Sequence, residues 1–366
     1  MKVECVRDRL AETIQKAERI TGKNLTLPVL KCFLLEAKDD TLTIKATNLD
    51  IGIEVSIPAK VIEPGEIAVP AAIFNSFVQN LHSEKNILIE SSDGNLRIST
   101  KTNSTTIKAL PHDEYPIIPR IDEGKSFELH TKEFAKGLQS VWYAASTTSI
   151  KPELSSIFIY NDEDTIVFAA TDSFRLAEKR IKVKKPKDFT QILLPYKNVP
   201  DIVRILEGIN DEVEVRLDKT QISFTYKGIY MVSRVIDGVF PDYKQIIPRD
   251  FKTEAVVLKQ DLVNALKLAN VFSDSFNQVN MKVLMEVKKF EIRTRNSDVG
   301  ENTNVLEAVL TGDDIEINFN HRYIVDCFQS IDADSVTLQF SAMNRPVIIR
   351  GISDKSFLYL VMPMNK

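Results

Sequence analysis

The sequence predicts an α+β fold in which one domain architecture occurs three times along the chain. Three observations support this prediction. A strand followed by a helix recurs at 67–81, 192–208 and 317–331, with successive copies 125 residues apart. Strands of alternating apolar and polar residues recur at a spacing of 124 residues, and a short hairpin closes each copy. Self-similarity at a fixed spacing indicates a repeated structural unit.

The strand–helix segments share their pattern of apolar residues. In each copy an apolar strand ends at Pro70, Pro195 or Asn320, and a helical pattern follows. Apolar residues at helical spacing are typical of the buried face of a helix. This spacing predicts six buried positions in the three copies: Val78, Leu81, Val203, Leu206, Phe328 and Ile331.

A second helix and a strand recur with the same order in each copy. The helices carry apolar residues at i, i+4 and i+7, which indicates one amphipathic face. These triplets are Leu10/Ile14/Ala17, Phe134/Leu138/Val141 and Leu262/Leu266/Ala269. The strands, with period-two alternation and β-branched residues, are 42–48, 166–172 and 290–296.

The hairpins and linkers set the predicted domain boundaries. The hairpin connections are too short for parallel crossovers, so each copy should contain antiparallel sheet with helices packed on one side. Proline-containing extended linkers end the first two copies at 110–122 and 236–250. We therefore expect three domains, at 1–122, 123–250 and 251–366.

Composition is that of an ordinary globular protein. Hydrophobic residues make up 43% and charged residues 27% of the 366 residues, and the formal net charge is −4. This charge argues against tight binding of nucleic acid by the whole surface, so any DNA-facing surface must be a local basic patch. The three widely separated cysteines, Cys5, Cys32 and Cys327, are expected to be reduced and packed. With no secretory pattern and no long apolar stretch, we expect a cytoplasmic location and no membrane partner.

The sequence contains no recognisable catalytic constellation. The four histidines lack metal-ligand spacing, and phosphate-loop, dinucleotide-binding and nucleophile-elbow motifs are absent. Paired acids such as Asp39–Asp40 are typical of solvated turns. Asp172 has Asn48 and Asn296 as counterparts in the other copies, which favours a structural role in a turn. We therefore expect no catalytic residues, no metal site and no cofactor.

Over its whole length the chain resembles the bacterial beta sliding clamps, the processivity subunits of replicative DNA polymerases. The matching segments are LTLPVL (25–30), KATNLDIGIE (45–54), AATDSFRLAEK (169–179), IDGVFPDYKQIIP (236–248) and YLVMPM (359–364). The resemblance implies a head-to-tail homodimer whose six clamp domains form a ring around double-stranded DNA, with helices inside and a continuous antiparallel sheet outside. A ring of this kind tethers the polymerase and confers processivity without sequence-specific contacts.

Basic residues on the predicted inner helices are the candidates for facing DNA. A ring holds DNA topologically, so local positive charge on an acidic protein is sufficient. The alternative for each residue alone is an ordinary solvated surface charge. The candidates are Lys16, Arg19, Lys23, Lys132, Lys136, Lys197, Arg204, Lys267 and Arg322.

The resemblance also implies a cleft that binds short linear peptides of the replicative polymerase, the clamp loader and repair polymerases. Methionines and aliphatic side chains make a deformable surface for related ligands. The alternative is that this apolar cluster belongs to the core. The matching residues are Leu154, Thr171, Ser173, Phe174, Arg175, Leu176, Pro241, Gln245, Ile246, Phe276, Asn320, Tyr323, Asn344, Pro346, Leu360, Met362, Pro363 and Met364.

The dimer interface is expected to join the first domain of one chain to the third domain of another. Thr105 and Ile107 would then face Val271 and Phe272. The alternative is that Ile107 and Phe272 pack inside their own domains. Two other functions remain open from the residues alone. A repeat scaffold without a DNA role would not need basic residues on the helices, so a neutral or acidic inner face would favour it. A hydrolase with a site between domains would have a deep pocket with perturbed titrating groups.

Overall fold

The computed structural model describes residues 1–22, 27–82, 85–148, 150–183 and 191–364. The contacts between these residues divide them into two compact units. Unit 1 comprises the described residues of 1–132 and 200–235, and unit 2 comprises those of 133–199 and 236–366. The α-helices in the described ranges are α1 (Arg7–Glu18), α2 (Ala71–Gln79), α3 (Thr131–Val141), α4 (Val199–Glu207), α5 (Lys259–Val271) and α6 (His321–Asp326).

The strands are short, and most are five to eight residues long. In chain order they are β1 (Lys2–Val6), β2 (Cys32–Lys38), β3 (Thr41–Thr47), β4 (Ile51–Pro58), β5 (Lys60–Glu63), β6 (Gly65–Pro70), β7 (Asn86–Ser92), β8 (Asn95–Ser99), β9 (Ser104–Lys108), β10 (Lys125–His130), β11 (Ser156–Asp162), β12 (Thr165–Thr171), β13 (Arg175–Lys182), β14 (Ile192–Pro195), β15 (Glu212–Leu217), β16 (Gln221–Tyr226), β17 (Ile229–Arg234), β18 (Thr253–Leu258), β19 (Gln278–Leu284), β20 (Lys289–Asn296), β21 (Gly300–Leu306), β22 (Ala308–Gly312), β23 (Ile315–Asn320), β24 (Ser335–Phe340), β25 (Val347–Gly351) and β26 (Phe357–Val361).

Unit 1 contains two antiparallel sheets. The five-stranded sheet has the order β5-β1-β7-β8-β9, and the eight-stranded sheet has the order β10-β15-β16-β17-β4-β3-β2-β6. The eight-stranded sheet joins the first and second predicted domains because β17 pairs with β4, with Met231 opposite Ile53. The predicted domain boundary therefore lies inside a continuous sheet.

Unit 2 also contains two antiparallel sheets. The nine-stranded sheet has the order β14-β11-β12-β13-β26-β25-β24-β18-β22, and the four-stranded sheet has the order β21-β20-β19-β23. Here β13 pairs with β26, with Leu176 opposite Leu360. One strand of the second predicted domain thus pairs with one strand of the third, just as the first and second domains are joined.

The repeated helical faces are buried as the periodicity predicts. Leu10, Ile14 and Ala17 of α1 have no exposed surface, and the equivalent residues of α3 and α5 are at most 2% exposed. The six predicted positions of the strand–helix segments are also buried. The helix start differs in one copy, because a 3-10 turn at Tyr196–Asn198 separates Pro195 from α4. The prediction of an α+β fold with a threefold repeat is confirmed.

The strands β9 and β21 each lie at the edge of a sheet, whereas their counterparts in the other repeats lie inside a sheet. Through the repeat spacing, β9 corresponds to β17 and β26, while β21 corresponds to β4 and β13. In the described structure β9 pairs only with β8, and β21 pairs only with β20. Their free sides therefore carry backbone N–H and C=O groups that can pair with another chain.

The linker of the first domain is fixed against the sheet of unit 1. Tyr230 donates a hydrogen bond to the Pro119 carbonyl at 2.9 Å and accepts one from the Ile121 amide at 3.2 Å. Arg120 lies 4.7 Å from the centre of the Tyr230 ring and forms an ion pair with Glu54. These contacts hold the segment across the junction of β4 and β17.

Candidate functional site

A tight turn between β12 and β13 organises the residues of the expected peptide cleft. Ser173 has a φ of 79°, which is uncommon for a residue with a side chain. The Thr171 hydroxyl accepts a hydrogen bond from the Ser173 amide at 3.2 Å and donates one to the Arg175 carbonyl at 2.6 Å. The Asp172 carboxylate accepts from the amides of Phe174 and Arg175, each at 3.0 Å. The structural role expected for Asp172 is therefore present.

Arg175 is the most constrained charged group of the site. Its Nε donates to Asp172 at 2.9 Å, a second nitrogen donates to Asp326, and its guanidinium lies 4.6 Å from the centre of the Tyr323 ring. Burial lowers the pKa of Arg175, but the surrounding tyrosine and aspartate oxygens outweigh this effect and raise its pKa above the ordinary value. Arg175 is therefore a fixed cation rather than a mobile surface charge.

The floor of the site is apolar and belongs to the core of unit 2. Leu176 and Leu360 are fully buried in a cluster that includes Tyr243, and Met362 packs against the same cluster while remaining partly exposed. Pro346, next to the strand position that pairs with Val361, is also buried. The floor residues thus belong to the hydrophobic core, as the alternative interpretation holds. The exposed residues around them form the surface that a ligand can reach.

Large apolar side chains are exposed around this floor. Phe174 is 60% exposed and stacks on Tyr323 with the ring centres 6.4 Å apart. Ile246 and Phe276 are 46% and 69% exposed. Exposed aromatic and aliphatic groups beside a buried apolar floor are characteristic of sites that bind a ligand's side chains.

The C-terminal segment lies along the site and is held by main-chain hydrogen bonds. The Met362 amide donates to the Phe174 carbonyl at 2.8 Å, and the Met364 amide donates to the Asn318 carbonyl at 2.8 Å. Met362, Pro363 and Met364 remain partly exposed. These bonds order the segment and leave its side chains available to a ligand.

Polar groups surround the site, although not every expected residue is linked to it. Asn320 caps α6 by accepting from the Arg322 amide at 3.0 Å, and its side chain donates to the Phe276 carbonyl at 3.4 Å. Gln245 is exposed and donates to Asp242, and Pro241 is exposed on the same segment. Leu154 is buried on a connecting segment, and Asn344 is exposed in a turn. Within the described ranges, no side-chain hydrogen bond or ring contact joins Leu154 or Asn344 to the other residues of the expected cleft.

Two residues that position the site were not among those predicted from the sequence. Asp326 anchors Arg175 across 151 positions of sequence. Tyr359 donates to the Tyr323 carbonyl at 2.8 Å and is fully buried. Helical phase was the available signal for Asp326, since it lies one turn after Tyr323 on α6.

The candidate DNA-facing residues are mostly exposed, as an interface requires. Lys16 pairs with Glu12 at 2.7 Å, and Lys136 pairs with Asp332 at 2.5 Å, so both charges are partly neutralised within their own unit. Lys23 lies outside the described residues. The remaining candidates, all exposed, are Arg19, Lys132, Lys197, Arg204, Lys267 and Arg322.

The expected dimer residues differ in exposure. Val271, at the end of α5, is 65% exposed, and Phe272 and Thr105 are partly exposed. Ile107 on β9 is only 5% exposed and packs inside its own sheet. This burial favours the alternative in which Ile107 belongs to its domain core, because its side chain lies on the covered face of the edge strand.

Cys5, Cys32 and Cys327 are free and buried, as predicted. Within the described ranges, no three His, Cys, Asp or Glu side chains are grouped so as to hold a metal ion. None of the helices described there combines the length and apolar character needed to cross a membrane.

Comparison with known proteins covers the whole chain. Family models of the DNA polymerase III beta subunit match residues 1–119 (N-terminal domain), 128–242 (central domain) and 244–365 (C-terminal domain). The beta sliding clamp of Bacillus subtilis is 26% identical over 380 residues, with 100% of each chain covered. That of Synechococcus elongatus is 26% identical over 372 residues, covering 100% of this chain and 99% of the relative.

Solved structures show the same fold. The DNA polymerase sliding clamp of Bacillus subtilis has a TM-score of 0.94 at 25% identity, covering 100% of this chain and 99% of that chain. The DNA polymerase III beta subunit of Thermotoga maritima has a TM-score of 0.93 at 26% identity, with the same coverage. The repeated sheets and helices are therefore those of a DNA sliding clamp. The chain belongs to the DNA polymerase III beta subunit family, and the resemblance noted in the sequence is confirmed.

Proposed function

We propose that two copies of this chain close head to tail into a ring around duplex DNA and tether the replicative polymerase through peptides bound in unit 2. The main support for this proposal is that β9 and β21 are unpaired on one side in the part of the chain that the structure describes. Within the chain, strands equivalent to these two pair twice, as β17 with β4 and β26 with β13. Pairing β9 of one copy with β21 of the other repeats the same contact between chains and satisfies both edges.

The exposed dimer candidates lie beside these edges. A Cβ built on Gly300, the first residue of β21, would lie 3.7 Å from the Phe272 ring, and Val305 on the same strand is 55% exposed. Thr105 lies on β9. We propose Thr105, Val271 and Phe272 as interface residues, with Ile107 supporting β9 from inside its domain.

The charge distribution is compatible with sequence-independent retention on DNA by a closed ring. The net charge of −4 disfavours strong electrostatic binding by the whole chain, whereas a closed ring needs only weak phosphate contacts. The exposed basic candidates, together with Lys16 and Lys136, would supply those contacts. We propose that they stabilise the sliding complex collectively rather than through any single residue.

The site in unit 2 has the features of a peptide cleft. A buried apolar floor, exposed aromatic walls and the fixed Arg175 cation suit a short segment with apolar side chains. We propose that the polymerase catalytic subunit, the clamp loader and repair polymerases compete for this site. We further propose that the chain has no catalytic activity and no cofactor of its own, and that it acts in the cytoplasm through domains at 1–122, 123–250 and 251–366.

Light scattering across a dilution series tests the ring. We expect a mass of twice the chain's 41.4 kDa that persists on dilution. After loading onto nicked circular DNA, the protein should remain bound at high salt and be lost once the DNA is cut to a linear form. A monomer at every concentration would contradict ring closure, and salt-sensitive retention on both DNA forms would contradict topological binding.

A further inference from the structure

Unit 1 contains a cavity that the proposed function does not use. Its volume is about 310 Å³, within the range of small ligand sites. Exposed apolar groups stand at its opening, since Ile117 is 92% and Leu49 is 45% exposed. The lining residues are Thr47, Leu49, Asp50, Ile51, Gly52, Pro116, Ile117, Pro119, Gln221, Val232 and Arg234.

The strand registers make this cavity the internal counterpart of the unit-2 site. Thr47 pairs with Gly52 as Thr171 pairs with Leu176, and Gly52 pairs with Val232 as Leu176 pairs with Leu360. The repeat spacing of 124 residues relates the first members of these pairs. Val232 therefore stands where Leu360 forms the floor of the unit-2 site.

The turn at the mouth of the cavity is built in the same way. Leu49 has a φ of 77°, compared with 79° for Ser173. The Thr47 hydroxyl accepts from the Leu49 amide and donates to the Ile51 carbonyl, and the Asn48 side-chain oxygen accepts from the amides of Asp50 and Ile51. These are the hydrogen bonds of the turn at 171–175. The unit-1 cavity thus has the backbone frame that shapes the unit-2 site.

The bond next to this turn is also repeated. The Arg234 amide donates to the Asp50 carbonyl at 2.9 Å, as the Met362 amide donates to the Phe174 carbonyl at 2.8 Å. Arg234 therefore takes the place of Met362. Its side chain is exposed, and among the described residues its guanidinium has no ion-pair partner.

Three replacements change the chemistry that the cavity can recognise. Asp50, Gln221 and Arg234 stand at positions equivalent to Phe174, Pro346 and Met362. The walls remain apolar through Ile117, Pro119 and Val232. A ligand that pairs with the Arg234 guanidinium must accept hydrogen bonds from it. A carboxylate suits the two parallel donors of the guanidinium best.

We propose that the unit-1 cavity is a second docking site for an extended peptide, specific for an aliphatic side chain followed by an acidic residue. The aliphatic side chain packs against Val232 and Ile117, and the acidic residue pairs with Arg234. This inference goes beyond the proposed function, which assigns peptide binding to unit 2. It would let one chain hold two different segments, since the unit-2 site lacks an equivalent of Arg234.

Fluorescence polarisation with two labelled, C-terminally amidated pentapeptides tests the proposal. The probes are Ala-Leu-Ala-Leu-Asp and its matched control Ala-Leu-Ala-Leu-Asn. The full-length chain carrying Ile246→Glu, which blocks the unit-2 site, is titrated to about 1 mM. We expect the Asp peptide to bind this variant at least about fivefold more tightly than the Asn peptide.

Two further substitutions on the Ile246→Glu background distinguish the outcomes. Ile117→Glu should weaken the Asp peptide at least about tenfold, and Arg234→Gln should abolish the difference between the two peptides. Binding unchanged by both substitutions, or no binding by the Ile246→Glu chain, would overturn the proposal. Failure of the unit-2 assignment would appear separately, as unchanged binding of polymerase-derived peptides to the Ile246→Glu chain.

Discussion

At the scale of single residues, Arg175 connects two elements of the site while the residues around it stay accessible. Its guanidinium joins the turn at Asp172 to α6 at Asp326 and lies against the Tyr323 ring. Because these partners use the fork of the guanidinium, a lysine could not replace it. Phe174, beside it, projects into solvent on a backbone that Arg175 fixes.

Phe174→Ala should weaken binding of polymerase-derived peptides about tenfold, which corresponds to about 1.4 kcal/mol. The ring is 60% exposed, so the free energy of unfolding should change by less than about 0.5 kcal/mol. Fluorescence polarisation measures the peptide affinity, and urea denaturation measures the free energy of unfolding. Val287→Ala, at another exposed site, is the control. Equal affinity of both variants for the peptides would show that Phe174 lies outside the cleft.

The cysteines should be unreactive in the folded protein at pH 8. Burial raises the pKa of Cys5 to about 12 and that of Cys32 to about 11, and burial also raises the pKa of Cys327. A thiol-specific disulfide reagent should label all three only after unfolding. Since unfolded thiols ionise near pH 9 and the folded ones do not, stability should fall as the pH rises through that value. Rapid labelling of the native chain would contradict this burial.

At the scale of elements, the repeated turns and helices were accessible to sequence analysis because their signals are local. The pattern of α1 and the spacing of β3, β12 and β20 identified those elements correctly. The pairing of Arg175 with Asp326 was not accessible, since it joins residues 151 positions apart. Nor could alternation decide which face of β9 is covered, so the burial of Ile107 required the structure. The remaining site assignments stay predictions.

Ending the chain after Val361 should abolish peptide binding in unit 2 while leaving the dimer intact. The truncation removes the segment that bonds to Phe174 and Asn318, but β26 ends at Val361 and keeps its pairing with β13. Peptide binding by polarisation and mass by light scattering provide the two measurements. Unchanged affinity would remove Met362, Pro363 and Met364 from the site.

At the scale of the whole molecule, the repeat recurs as a pattern of sheet pairing as well as of sequence. Each predicted boundary is crossed by a pair of strands, β17 with β4 and β26 with β13. The periodicity of the sequence predicted three domains but not these shared sheets, because strand pairing between domains leaves no periodic signal within either one. Only the family resemblance implied a sheet that continues from one domain to the next. In the proposed dimer, the edges of β9 and β21 would complete the pattern.

Val305→Lys should convert the dimer to a monomer. Val305 lies on the edge strand β21 and is 55% exposed, so a charge there would be buried at the interface without a partner. Light scattering on dilution measures the change, and Val287→Lys, on an equally exposed residue outside this strand, is the control. A persistent dimer would show that β21 is not the contact.

The shared eight-stranded sheet also determines how the chain responds to cutting. A protease that cleaves the linker at 110–122 severs the covalent connection between two repeats but not the hydrogen bonds of β4 with β17. The two fragments should therefore elute together from a sizing column and separate only in denaturant. An isolated first repeat, by contrast, would expose the β4 edge and be prone to aggregation. The repeat is thus the unit of sequence duplication, whereas we expect cooperative unfolding to follow the sheet that spans two repeats.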